Sequence, residues 1–186
     1  MKKSFFVVFL ISCSTLMAQS TWKADAAHSN INFSISHLVI SEVTGNFGTF
    51  DIEAVTNDAF DSPSFTVSIE TASINTNNER RDGHLKSDDF FAAETHPTMT
   101  FKSSSYTKTG DNTFLLDGNF TIRGNTKPIQ LKGKLNGIIT DQRSKKLKAG
   151  LKLTGTIKRK DFEVGGENPA LGDDVEITIN IEMAQQ

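Results

Sequence analysis

The sequence has very little sulfur and few polar aromatic residues. Cysteine occurs once, at Cys13, and tryptophan and tyrosine also occur once each, whereas phenylalanine occurs 14 times. A single cysteine excludes an internal disulfide and any site built from several thiolates. Because phenylalanine has no hydrogen-bonding group, we expect most of the 14 rings to be buried in a core or against an apolar ligand.

The sequence also has no excess of basic residues over acidic ones. Lysine and arginine total 20 against 22 acidic residues, which gives no support for a nucleic-acid partner. No phosphate-binding glycine loop, metal-ligand motif or nucleophile with a nearby base stands out. We therefore expect a protein that is not an enzyme and needs no cofactor.

The N-terminal 18 residues have the pattern of a secretory signal peptide. Lys2 and Lys3 precede an apolar run at 5–11, and Ala18 is a small residue at a plausible cleavage point. We expect a mature domain over residues 19–186 with a charge of −4 in place of −2, in the periplasm or outside the cell. The alternative is a lipid anchor at Cys13, which follows the lipobox-like residues 10–12.

Most of the remaining chain alternates apolar and polar residues, the pattern of strands with one buried face. The predicted strands number eight: 22–38, 43–55, 64–74, 98–107, 113–123, 127–140, 147–159 and 175–183. Strands of this length on short links favour an all-β, eight-stranded antiparallel barrel, because closure removes exposed edges. A two-sheet sandwich is the alternative, and the polar outer face argues against a barrel inserted in a membrane.

One long stretch, from Thr76 to Phe101, interrupts the strands. Thr76 and Glu79 have the spacing of a capping box and predict a short helix between the third and fourth strands. The apolar pair Phe90-Phe91 follows, and the step at His96-Pro97 ends any helix. We interpret this stretch as a cap over one end of the barrel, with Leu85 and both phenylalanines turned inward.

Several short motifs occur in a specific order along nearly the whole mature chain. They are Asp25-x-x-His28-Ser29-x-Ile31-x-Phe33, His37-Leu38, Gly45-x-Phe47, Arg81-Asp82-Gly83-His84-Leu85, Ser87-x-Asp89-Phe90, His96-Pro97-x-Met99-Thr100-Phe101, Gly118-Asn119-Phe120-Thr121-Ile122-x-Gly124 and Arg159-x-Asp161-Phe162. In this order they resemble the YceI-like family of secreted bacterial lipid-binding proteins.

The resemblance implies a lipocalin-like barrel that holds a polyisoprenoid or another long-chain amphiphilic lipid, often as a homodimer. The sequence departs from the family pattern at two positions. Glu163 stands where the family usually has glycine, which puts that turn and any polar contact there in question. Phe120 replaces a leucine, which is a neutral apolar exchange.

The inward apolar positions are the candidate lipid contacts, although many of them could instead pack only on one another. His37 shares their phase and is a candidate polar contact. The candidates are Phe33, Ile35, His37, Phe47, Phe65, Val67, Ile69, Phe101, Phe120, Ile122, Leu131 and Ile157.

Charged residues of the cap suggest a second, polar part of the site. Arg81 and His84 are candidate contacts for a lipid head group, since arginine binds phosphate well. The alternative is a solvated helix face with local ion pairs to acidic neighbours: Glu79, Asp82 and Asp88.

Polar residues form two further groups in the sequence. Arg159 and Asp161 have the same two alternatives, a contact with a head group or a structural salt bridge that ties the last hairpin loop to the barrel. The four histidines lack the converging spacing of a zinc site, so we predict no metal.

The sequence therefore predicts a carrier or store of a long-chain lipid. The alternative is an envelope stress or structural module with a filled barrel that acts through protein contacts. A partner in a cofactor-linked redox system is a more distant possibility.

Overall fold

A computed structural model of the chain describes residues 19–186. The predicted signal peptide and Cys13 lie outside these residues. Within the described part, no helix has the length and apolar character needed to cross a membrane. Most residues belong to β-strands: β1 Ser20–Ala24, β2 Asn30–His37, β3 Ser41–Phe47, β4 Phe50–Thr56, β5 Ser64–Glu70, β6 Ile74–Asn75, β7 Thr98–Lys108, β8 Thr113–Ile122, β9 Asn125–Thr140, β10 Leu147–Lys158 and β11 Leu171–Gln185.

The strands close into an antiparallel barrel. Neighbours follow in the order β1, β4, β5, β7, β8, β9, β10 and β11, and β11 pairs again with β1, for example Ala24 with Met183. The predicted eight-stranded barrel is thus confirmed, and the two-sheet sandwich is excluded. Closure leaves each of these strands with a partner on both sides.

The eleven strand segments of the described residues form eight wall positions because three predicted strands are broken. A single 3-10 turn at Ala26–His28 separates β1 from β2, and Asp25 caps it by accepting a 3.0 Å hydrogen bond from the Ala27 amide. Gly48 and Thr49 separate β3 from β4. The third break is the 3-10 turn Thr71–Ser73, which separates β5 from β6. Since β1 and β5 pair with β4 while β2 and β6 pair with β3, each broken strand still occupies one place in the wall.

One end of the barrel is filled by side chains. Trp22 is fully buried there, and its ring meets Phe60 edge to face with centroids 5.1 Å apart. Met183 and Ala149 are also fully buried and pair directly across β10 and β11. This closed end gives the barrel a floor.

The helix predicted within the interruption is present at the other end, but its start differs from the prediction. Helix α1 spans Glu79–Lys86, and its cap is Asn78, whose side chain accepts a 3.0 Å hydrogen bond from the Arg81 amide. The predicted capping box at Thr76 is wrong. Thr76 is buried, donates its hydroxyl hydrogen to Asp82 and accepts from Arg81 Nε at 2.7 Å.

Candidate functional site

A cavity of about 550 Å³ occupies the barrel between its floor and α1. Its size is within the roughly 300–1,000 Å³ typical of small-molecule sites. All the residues predicted to contact lipid lie on its wall: Phe33, Ile35, His37, Phe47, Phe65, Val67, Ile69, Phe101, Phe120, Ile122, Leu131 and Ile157. Whether these side chains contact a lipid stays a prediction.

The wall residues differ in how much of their surface the cavity exposes. Phe65, Ile69 and Leu131 are buried by neighbouring side chains, whereas Ile35 and Val67 are only partly buried although they line the interior. The residual surface of the second group faces the cavity, so these side chains offer area that a ligand can cover.

Strand β11 contributes wall residues that the sequence prediction omitted. Val175, Ile177 and Ile179 alternate along this strand, line the cavity and are partly buried. Their alternation was visible in the sequence, but nothing in it distinguished residues facing the empty part of the barrel from residues in a packed core.

The segment around α1 covers the cavity with apolar side chains. Leu85, Phe90 and Phe91 all line it, as the cap interpretation predicted. The Phe91 amide donates to the Leu85 carbonyl at 3.0 Å, and the Phe91 ring meets Phe47 on β3 edge to face with centroids 5.9 Å apart. The cover is therefore attached to the barrel wall by aromatic packing.

Arg81 and His84 also line the cavity, but both are bound locally. Arg81 donates from Nη2 to the Thr76 carbonyl at 2.8 Å, besides the bond from Nε. His84 lies 3.3 Å from an Asp89 carboxylate oxygen. The local ion pairs considered for this face do not form with Glu79, Asp82 or Asp88 in residues 19–186. The role of Arg81 and His84 toward a head group stays a prediction.

Arg159 does not form the salt bridge with Asp161 that was one of the two alternatives for this pair. Its side chain is only 4% exposed and lines the cavity. It donates to three carbonyl oxygens, those of Gly172, Val164 and Gly166, each at 2.8 Å. The other terminal nitrogen, Nη2, has no partner in the described residues.

The loop that follows Phe162 folds around the guanidinium of Arg159, so loop carbonyls take the place of a carboxylate. A buried cation held only by neutral carbonyls leaves positive potential at the cavity wall. The motif Arg159-x-Asp161-Phe162 marked this residue in the sequence, but not its partners.

The histidines do not converge in the cavity. His28 lies outside it, 2.9 Å from Asp25, and the hydrogen bond to that carboxylate raises the pKa of His28. Glu182 is close enough to complete a group of three potential metal ligands with them. However, Glu182 already accepts a 2.7 Å bond from Lys148, so the group works as a surface ion-pair cluster.

Comparison with known proteins finds relatives that match most of this chain. A UPF0312 protein of Pectobacterium atrosepticum is 37% identical over 178 residues, which cover 93% of this chain and 90% of the relative. The crystal structure of a Campylobacter jejuni YceI protein has 35% identity and a TM-score of 0.75, with 82% of this chain and 90% of that chain covered.

A more distant structure, described as a polyisoprenoid binding domain from Saccharophagus degradans, superposes with a TM-score of 0.64. It covers 89% of this chain and 98% of its own, but at 16% identity it supports the fold alone. The YceI-like domain matches residues 22–183, which include the cover and all of the barrel wall except the first two residues of β1 and the last two of β11. The chain therefore belongs to the YceI-like family.

Proposed function

We propose that the protein is exported and binds a polyisoprenoid or a similar long-chain amphiphilic lipid inside the barrel, for transport, storage or sequestration. The observation that carries this proposal is the apolar cavity between the filled floor and α1. Partly buried aliphatic side chains line it, and if water filled the cavity, the apolar surface of these side chains would stay in contact with water. A hydrocarbon chain would cover it, at a gain of roughly 25 cal/mol for each Å² buried.

Three polar residues of the wall favour an amphiphile over a pure hydrocarbon as the ligand. Arg81, His84 and the buried Arg159 all line the cavity, whereas the floor is built from Trp22, Phe60 and Met183. A chain that enters tail first would keep its head beside the two arginines and the imidazole of His84. We assign the site a binding role, because hydrocarbon side chains dominate its wall.

The distant Saccharophagus degradans structure is consistent with this ligand class through its description, although its low identity carries only the fold. Export rests on the predicted signal peptide. A homodimer, implied by the family resemblance, is a further part of the proposal that sedimentation at several concentrations would test.

The first test is to identify what the protein carries. Purified protein is extracted with organic solvent and the extract is analysed by mass spectrometry, and protein freed of lipid is then mixed with polyprenols. We expect a co-purifying lipid, uptake of the added polyprenols, or both. Neither co-purification nor uptake would contradict the proposal.

The second test places the lipid in the cavity. Ile69→Arg and Phe33→Arg each introduce a charge on the inner wall, so we expect both variants to lose polyprenol uptake because a desolvated cation is costly beside hydrocarbon. Ser68→Arg is the matched control, since Ser68 is exposed beside Ile69 on β5. If both inner-wall variants take up polyprenol and their circular dichroism shows a folded barrel, the lipid does not bind in this cavity.

A further inference from the structure

The turn between β2 and β3 exposes three large apolar side chains in succession. Leu38, Val39 and Ile40 are 54%, 91% and 87% exposed, and we call these three residues the apolar tip. The other large apolar residues exposed in the described chain, Val55 and Ile139, are isolated. A contiguous exposed apolar group is a sign of an interaction site, whereas scattered ones are ordinary.

The backbone of the apolar tip is also strained. Leu38 has φ of 52° and Val39 has φ of 65°, both in the left-handed region. The Ile40 amide closes the turn by donating to the His37 carbonyl at 3.3 Å. Turns of this kind favour Asn-Gly, and a β-branched residue is unfavourable in them. Asn-Gly would give this turn less backbone strain and a more soluble surface. Neither folding nor solubility therefore accounts for Leu38 and Val39.

The apolar tip stands at the mouth of the cavity. Its flanking residues His37 and Ser41 pair with each other, and both line the cavity. The next inward-facing pair, Ile35 and Val43, lines it as well. The cavity wall therefore leads from the exposed turn, past the polar pair His37 and Ser41, to the apolar pair behind it.

The apolar tip is held in place by the loop that precedes β11. The Leu38 amide donates to the Ala170 carbonyl at 2.8 Å, and Ala170 also lines the cavity. A fixed apolar projection can enter another apolar phase without first having to become ordered.

We propose that the apolar tip inserts into a lipid bilayer and holds the mouth of the barrel against the membrane, so that lipid passes between the bilayer and the cavity. This inference rests on the proposed function. A bilayer is the occupant that fits, because the cavity behind the tip is itself suited to a lipid. Neither the tip nor β2 and β3, the strands that carry it, contains a lysine or arginine, so the proposed insertion rests on apolar contact.

The direct test is flotation of the protein with phosphatidylcholine vesicles. We expect binding that persists at high salt, because screening weakens charge interactions and leaves apolar insertion intact. Ile40→Trp supplies a depth probe, since brominated phosphatidylcholine should quench its emission. The natural Trp22 is fully buried at the floor and should not be quenched, so the wild type gives the background.

The decisive variant is Leu38→Asn combined with Val39→Gly. It gives the turn its preferred residues, so we expect unchanged or higher thermal stability. Loss of two large apolar side chains should reduce vesicle binding by roughly tenfold or more. Ile139→Thr is the matched control, because Ile139 is 65% exposed at the opposite end of the barrel, and it should bind vesicles like the wild type.

A separate measurement distinguishes the two proposals. The double variant should take up a short polyprenol added from ethanol as well as the wild type does, and only its extraction of polyprenol from vesicles should slow. Failure of the wild type to take up polyprenol by either route would contradict the proposed function, while the flotation result would still decide the role of the tip.

Three outcomes would overturn the inference. The first is that the wild type does not float with vesicles, and the second is that the double variant floats as well as the wild type does. The third is that the tip joins two copies of the chain. In the last case, sedimentation would show a dimer that the double variant abolishes, without vesicle binding by the wild type.

Discussion

At the scale of single residues, Glu163 has the backbone conformation that glycine adopts most easily, at the position where the family resemblance implied glycine. It follows the 3-10 turn Arg159–Phe162 and has φ of 58°, in the left-handed region. Its amide donates to the Lys160 carbonyl at 3.0 Å, and its carbonyl accepts from Arg123. This conformation starts the loop whose carbonyls bind Arg159, so the side chain is accommodated at the expense of backbone strain.

We expect Glu163→Gly to raise the free energy of unfolding by about 0.5–1 kcal/mol. Relief of left-handed strain, roughly 1–2 kcal/mol, should exceed the added entropy of the unfolded chain. Urea unfolding followed by circular dichroism measures the change. Glu163→Gln keeps the strain and should leave stability unchanged, and a less stable glycine variant would mean that the Glu163 side chain has a role of its own.

At the scale of structural elements, glycines in the wall make room for apolar side chains. A side chain at Gly118 on β8 would collide with the Phe101 ring and the Lys102 carbonyl, and one at Gly133 would collide with Phe114. The glycine positions therefore decide where the large rings lie, and Phe101 is one of the rings that line the cavity.

Alanine substitution at two glycines should have opposite effects. Gly118→Ala should destabilise the protein by about 1–3 kcal/mol, because both the Phe101 ring and the backbone are in the way. Gly83→Ala in α1 has nothing within 4 Å and should stabilise it by about 1 kcal/mol through helix propensity. Thermal unfolding measures both. A neutral Gly118→Ala would mean that the ring can move at no cost, and a destabilising Gly83→Ala would contradict the open surroundings.

The sequence predicted elements well where a periodic pattern determines them. Alternation placed Phe65, Val67 and Ile69 on one face because successive strand side chains point to opposite sides. The break at Ala26–His28 was missed, although the buried positions change phase there, from the even-numbered Trp22 to the odd-numbered Ile31. The partners of Arg159 were also beyond the sequence, since they are backbone carbonyls that any residue supplies.

At the scale of the whole molecule, the barrel has a filled end and a hollow end, and this division sets the depth available to a ligand. Trp22 and Phe60 close the floor, while Ile177 and its neighbours on β11 leave space near the cover. Composition alone could not locate this boundary, because the same phenylalanine and isoleucine residues build both the packed core and the cavity wall.

Filling the hollow end should shorten the longest lipid that the protein binds. Ile177→Phe adds bulk to a partly buried wall position, so we expect the fold to persist while the longest polyprenol captured from a mixed series becomes shorter. Mass spectrometry of the bound fraction gives the length distribution. Ile139→Phe, the same exchange on the exposed outer surface, should leave it unchanged. Identical distributions for Ile177→Phe and the wild type would contradict a chain lying along β11, because a tail in that space must lose length when the wall grows.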